Sequence, residues 1–191
     1  MNAADLKFEI SEMIIAETKR LILRELTPDD APALFTINSG AQVMRFMGAP
    51  PNSVEVERRN IEAHIQNSYR PHGFGLWAVV HKDTGDIIGR CGLLRFEFDG
   101  KPQTEISYLL SRHHWGMGYA TEAGAEVVRI GFDNLAIDRL LALILPANSA
   151  SARVAERLGF RVEGAMEYKQ FGVVDLYAKY RVDAALNDGN T

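Results

Sequence analysis

The chain has 191 residues, a formal net charge of −4 and a single cysteine, Cys91. That length suits one domain with a sizeable core, and an apolar fraction of 47% is ordinary for a globular protein. The acidic balance disfavours broad nucleic-acid binding and favours a cationic amine partner. One cysteine excludes an internal disulfide and fits a reducing cytoplasm, and the apolar runs are too short for a membrane span.

In chain order, residues 1–16 read as an N-terminal extension. Its apolar positions Phe8, Ile10, Met13, Ile14 and Ile15 could form a short strand or helix. No basic segment leads into an apolar one, so no secretory signal is read there. Leu21–Leu26 alternates as a strand. Thr27-Pro28-Asp29-Asp30 predicts a helix start with Thr27 as cap, and Ala33, Leu34, Phe35 and Ile37 as its inward residues. After a loop with Gly48, Pro50 and Pro51, Ser53 caps a second helix through Val56, Ile61 and Ile65.

Gly75–Val80 and Ile87–Leu94 predict an antiparallel hairpin around the turn Asp83–Asp86. Gly89 and Gly92 mark a bulge or a close backbone approach. Cys91, inside this apolar strand, reads as a buried and inert thiol. A second turn at Asp99-Gly100 leads to a strand over Ile106–Leu110. Then come Gly116 and Gly118, and a helix that opens near Tyr119. Strand, glycine turn and helix aim unpartnered backbone N–H groups at an anion, so Gly116–Thr121 is a candidate phosphate or pyrophosphate seat. A tight connection without any ligand is the equal alternative. There is no Gly-Lys-Ser/Thr ending, and Thr121 stands where a dinucleotide fingerprint needs a third glycine or alanine.

Asp138–Leu145 is nearly all apolar, as in a strand buried on both faces. A helix follows from Ser149 to Leu158, stopped by Gly159, and Asn148 is its cap. Phe160–Glu163 begins the last strands. Tyr168–Gly172 and Val174–Val182 read as a closing hairpin, and residues 184–191 as a tail. The adjacent His113 and His114 do not share a helix face, and no metal-ligand spacing is present.

Two blocks carry a resemblance. Trp115-Gly116-Met117-Gly118-Tyr119-Ala120-Thr121-Glu122-Ala123 is similar to the acetyl-CoA turn of the GNAT superfamily of N-acetyltransferases, with Trp115 where most members have Gln or Arg. That departure resembles the RimJ/RimL-type branch of ribosomal-protein N-terminal acetyltransferases. Asn148-x-x-Ser151 followed by Leu158-Gly159-Phe160 is a feature of the same branch. The similarity runs from about Glu17 to Val182, which sets a domain at 17–183.

The resemblance implies an α/β (α+β) fold, a mixed and mostly antiparallel sheet flanked by helices with splayed central strands. It implies direct acetyl transfer in a ternary complex, with acetyl-CoA as cofactor, CoA as product and no metal. The pantetheine arm would pair with the backbone of Tyr108, Leu109 and Leu110, an amide near Leu110 would polarise the thioester, and the pyrophosphate would sit on Gly116, Met117, Gly118, Tyr119, Ala120 and Thr121. Asn148 would add an amide contact. The two-helix region that follows Leu26 would shape an acceptor site with Arg45, Phe46, Met47 and Arg70 as possible contacts, with surface loop and core packing as the equal alternative. Ser151 is the candidate proton donor to the CoA sulfur, with a small first-turn residue as its alternative. Glu105 is the candidate base, with a strand-end or substrate-orienting acid as its alternative. Glu122 reads as a complement to the helix dipole. The tyrosine used by many other members has Ala155 in its place. The expected acceptor is a protein or peptide N-terminal α-amine, ribosomal or other, in the cytoplasm. A small-molecule amine (amino acid, polyamine or antibiotic) is the close alternative, and a non-catalytic CoA-binding regulator the alternative from another class. A homodimer is common for such domains.

Overall fold

The longest regular stretch is a β-hairpin. β4 (Ile87–Phe98) and β5 (Lys101–Leu110) pair without interruption from Gly89↔Leu110 to Phe98↔Lys101. In this computed structural model, residues 13–98, 100–168 and 171–181 are described. Both strands run further toward their connecting turn than the sequence reading, so Glu105 lies in mid-strand. Around it lie β1 (Ile14–Glu17), β2 (Leu21–Arg24), β3 (Leu76–His81), β6 (Arg139–Ile144), β7 (Arg161–Glu167) and β8 (Val173–Tyr180). They form one sheet in the order β1-β2-β3-β4-β5-β6-β8-β7. Every neighbouring pair is antiparallel except β5 and β6. The mixed, mostly antiparallel sheet expected above is therefore present.

Several local readings need correction. β1 pairs with β2, so the sheet begins inside the segment set apart as an extension. Phe8 and Ile10 lie outside the described residues, as do Asp99 of the second turn and the tail 184–191. Thr27 is the N-cap expected, at extended φ −119° and ψ 158°, but of a 3-10 turn (Pro28–Asp30), and the Asp30 carboxylate completes a capping box by accepting the Thr27 N–H at 2.8 Å while binding Arg24. In α1 (Ala31–Asn38), Ala31, Leu34 and Ile37 are buried, whereas Ala33 and Phe35 are half-buried. Of the strand read over Tyr168–Gly172, the described residues Tyr168, Phe171 and Gly172 lie in no strand. The closing hairpin is β7 with β8, and β8 rather than β7 lies against β6. Ser53 caps α2 (Val54–His64) as expected, accepting from Val56 N–H at 3.2 Å. That helix continues through a π-helical turn, Ile65–Tyr69.

Strand alternation divides the core between the two faces of the sheet. On one face, Val79, Cys91, Leu93, Ile106 and Leu140 pack with Ala123 and Val127 of α3 (Tyr119–Arg129) and Ala155 of α4 (Ser149–Arg157). On the other, Ala78, Val80 and Leu109 pack against Leu34 of α1 and Ile61 of α2. Cys91 is fully buried, and burial pushes its thiol up to about 12, so it is no nucleophile. The two strand glycines answer to backbone proximity. A Cβ at Gly92 would come within 2.0 Å of the Gly75 carbonyl, and beside Gly89 the β3–β4 register slips by one residue. No described helix is long and apolar enough to cross a membrane.

Candidate active site

The site begins where β5 and β6 part. They share one registered pair, Glu105↔Leu141, although β5 runs on to Leu110 and β6 to Ile144. Which backbone groups this frees follows from the antiparallel ladder. Ser111 N–H donates to Ile88 O, so Leu109 and Ser107 also turn their N–H and C=O toward β4. Tyr108 and Leu110, at alternate positions, turn theirs toward the gap. Leu109 is buried and committed to the hairpin, so of the three residues expected to pair with a pantetheine arm, only Tyr108 and Leu110 present backbone to the opening.

Trp115 explains its own departure from the common motif. Its indole N–H reaches back and donates to the Leu110 carbonyl at 2.8 Å, closing the 3-10 turn Arg112–His114 onto the end of β5. After it, Gly116 and Gly118 adopt φ of 77° and 82°, a left-handed backbone that favours glycine. Gly118 is the N-cap of α3, and the N–H groups of Tyr119, Ala120 and Thr121 form its first turn. These donors have no intrahelical acceptor.

The turn is braced from below. Arg20 donates to the Met117 carbonyl at 3.0 Å, lies 4.2 Å from the centre of the Tyr119 ring, and pairs with Glu122 at 2.6 Å. Glu122 also accepts from the Thr18 hydroxyl and the Arg20 N–H. Burial pushes this carboxyl up, but those hydrogen bonds and the Arg20 charge outweigh it and hold it below its ordinary range. Glu122 is thus a brace to the β1–β2 turn, more than the dipole complement expected.

The gap opens on a cleft of about 200 Å³. Glu105, Ser107 and Tyr108 line one wall, and Asn148 and Ser151 the other. Asn148 caps α4, its side-chain oxygen accepting from Ser151 N–H at 3.3 Å. The Ser151 carbonyl accepts the Tyr108 hydroxyl at 2.8 Å, which ties α4 to the central strand. Burial pushes the Tyr108 phenol up, so it stays a neutral donor. Glu105 lies near Tyr168, whose phenol is raised by burial and then by the Glu105 charge. The candidate base, the candidate acid and Asn148 thus meet in one cleft, while Gly116–Thr121 lies outside it, one short turn beyond Leu110.

Phe46 and Met47 also line this cleft, whereas Arg45 and Arg70 are exposed and do not. Arg90, Tyr168 and Phe171 line it too, and the sequence reading did not single them out. A signal existed for Arg90, the one charged residue in Ile87–Leu94. Tyr168 and Phe171 stack at 6.1 Å on the β7–β8 connection, which no local pattern marks. Among the described residues, no group of three or more His, Cys, Asp or Glu could hold a metal ion.

A family model for the acetyltransferase (GNAT) domain matches residues 20–161. The chain belongs to the GNAT N-acetyltransferases. Among curated relatives, this GNAT chain is 33% identical to the uncharacterized N-acetyltransferase YoaA of Bacillus subtilis, over 80% of this chain and 85% of that one. A 38% identical match to the uncharacterized protein YkkB of the same organism is shorter, covering 49% of this chain and 55% of YkkB. The fold is similar to that of RimL, a ribosomal L7/L12 α-N-protein acetyltransferase whose structure was solved in complex with coenzyme A. The TM-score is 0.74 at 21% identity, over 87% of this GNAT chain and 97% of that one.

Proposed function

We propose that this enzyme transfers the acetyl group of acetyl-CoA directly to a primary amine, the N-terminal α-amine of a ribosomal or other protein or peptide, in the cytoplasm. One observation carries the reading: Glu105 and Ser151 face a single cleft at the gap between β5 and β6, and that gap runs on to the left-handed Gly118 turn. The backbone fits acetyl-CoA by its own chemistry. The Tyr108 backbone and the Leu110 N–H offer a strand edge that β6 leaves unpaired to an amide-bearing arm, and the α3 amides offer a seat for its pyrophosphate.

Bound acetyl-CoA supplies an activated acetyl thioester. The chain's residues supply the rest. Glu105 removes the proton from the ammonium form of the acceptor, directly or through one water, so that the amine can attack. An α-amine, with a pKa of about 8, needs less of this help than a lysine side chain at about 10.4. The Leu110 N–H polarises the carbonyl as it becomes tetrahedral. Ser151 gives a proton to the departing thiolate, and Asn148 holds the turn that presents it.

The modest cleft, about 200 Å³, favours a second reading in which the acceptor is a small amine. Isothermal titration with acetyl-CoA, then thiol release across N-terminal peptides, polyamines and aminoglycosides, separates the two. Tight binding and turnover on one amine class is the expected result. Binding without turnover would leave a CoA-binding regulator, and no binding would sink the reading.

A further inference from the structure

We infer that Arg90 selects acceptors carrying a carboxylate two to three residue-lengths from the reactive amine. The inference rests on the acetyltransferase reading of the same cleft. Arg90 lies near the start of β4, between Ala78 of β3 and Leu109 of β5. Both neighbours are buried in the apolar cluster beneath α1 and α2, so a charge here needs a reason.

Its guanidinium has no hydrogen bond or ion pair with any described residue. A guanidinium has five N–H donors, and those of the half-buried Arg90 are left to water in the cleft unless a ligand meets them. Two titratable groups act on it from the elements packed against this face. Glu57 of α2 attracts it through space but makes no ion pair with it, and one Glu57 oxygen is already taken by the Asn38 amide at 2.9 Å. His64, at the end of α2, is held neutral. Burial and then the Arg90 charge bring it down to about 4, and its Nε2 accepts the Leu76 N–H at 2.8 Å. The protein therefore balances part of the charge and uses none of the donors. What remains open to Arg90 is the cleft, which it lines together with Glu105.

The ladder sets the spacing. Arg90↔Leu109, Gly92↔Ser107 and Leu94↔Glu105 are alternate rungs on one face. Arg90 and Glu105 thus stand at two ends of a floor whose middle rung is a glycine and a serine. Four residues of strand span roughly 14 Å between the Cα rows. The long Arg90 side chain shortens that gap, which leaves about the length of two or three extended residues. An amine at Glu105 then places an anion at Arg90 when it belongs to a short peptide or a protein N-terminus with an acidic second or third residue. A polyamine has no group for Arg90.

The test measures thiol release with acetyl-CoA and matched acceptors. These are amidated tripeptides with Glu or Gln at the second or third position, a dipeptide as free acid and as amide, and spermidine. The wild type should favour the carboxylate member of each pair by about tenfold in kcat/KM, mainly through KM. In Arg90→Gln the preference should fall to within about twofold, and in Arg90→Glu it should turn toward lysine-containing peptides. The dipeptide pair separates a terminal carboxylate from an acidic side chain. Arg90→Met should lose the carboxylate preference as Arg90→Gln does while binding acetyl-CoA with unchanged affinity by titration, whereas a purely structural arginine would disturb both.

If the variants fail to fold, the wild-type pairs decide alone. Equal rates on Glu and Gln peptides, or a preference that survives Arg90→Gln, overturns the inference and leaves the acetyltransferase reading intact. Absence of turnover on every amine overturns both.

Discussion

The two halves of the cleft are built from different materials. The proposed cofactor half, from β5 through the Gly118 turn to α3, is contiguous in sequence and would work through backbone. On that proposal its tools are the Tyr108 and Leu110 edge and the first amides of α3, with Arg20 and Glu122 as a brace. The acceptor half is assembled from side chains far apart in the chain: Phe46 after α1, Arg90 on β4, Glu105 on β5, Tyr168 and Phe171 between β7 and β8. A backbone site tolerates most side-chain changes and fails when φ/ψ is disturbed. A side-chain site behaves the opposite way, which is how one fold can keep its cofactor while changing its acceptor.

The largest effect should come from the acceptor half. Glu105→Gln should lower kcat by about 10²- to 10⁴-fold at neutral pH, with acetyl-CoA affinity by titration little changed. A loss of affinity equal to the loss of rate would instead assign Glu105 to binding.

In the cofactor half the damaging change is to backbone freedom. Gly118 has φ 82°, so Gly118→Val pays the left-handed penalty of about 1–2 kcal/mol and puts a branched side chain before the α3 amides. Acetyl-CoA should bind about tenfold or more weakly by titration. Unchanged binding would return the glycine turn to being only a turn.

His64, which holds the first amide of β3 beside Arg90, gives the acceptor half a pH signature. Its folded pKa of about 4 lies below the ordinary 6.5, so the folded state prefers the neutral ring. That stability is fully present above pH 6.5 and is lost as pH falls toward 4. Melting curves should drop by a few degrees across this window, and His64→Gln, which can still accept the Leu76 N–H, should flatten the drop. A wild-type curve flat from 6.5 to 4 would refute the neutral assignment.

The smallest effect is the sharpest check on the comparison. Met117 is 53% exposed in the middle of the turn, and only its carbonyl is used, by Arg20. Met117→Ala should change acetyl-CoA affinity by less than about twofold, since side-chain changes away from such contacts cost little. A large loss would mean the turn reads its ligand through side chains after all.

What could be read in advance divides along the same line. Gly118 at a strand-to-helix junction, Ser53 and Asn148 as caps, and the Ile87–Leu94 hairpin strand all declare themselves within a few residues, because propensity and turn geometry are local. Thr27 was a cap by the same logic, and what the local pattern did not show is that its capping-box partner Asp30 also binds Arg24. Arg90 was visible as an anomaly but had no meaning without its neighbours. The order β6-β8-β7 was not readable, since nothing local states which of two late strands inserts beside β6.

The sequence by itself therefore determined the glycine turn and the motifs that mark the family, because each depends on residues adjacent in the chain, and the mixed sheet followed only through the family. Only the tertiary structure decided that Leu109 is spent on β4 while Tyr108 and Leu110 face the gap. It alone put Arg90, Glu105 and Ser151 around one cleft. Those facts depend on strand register and on which face each side chain takes, and a shift of one residue would reverse them all.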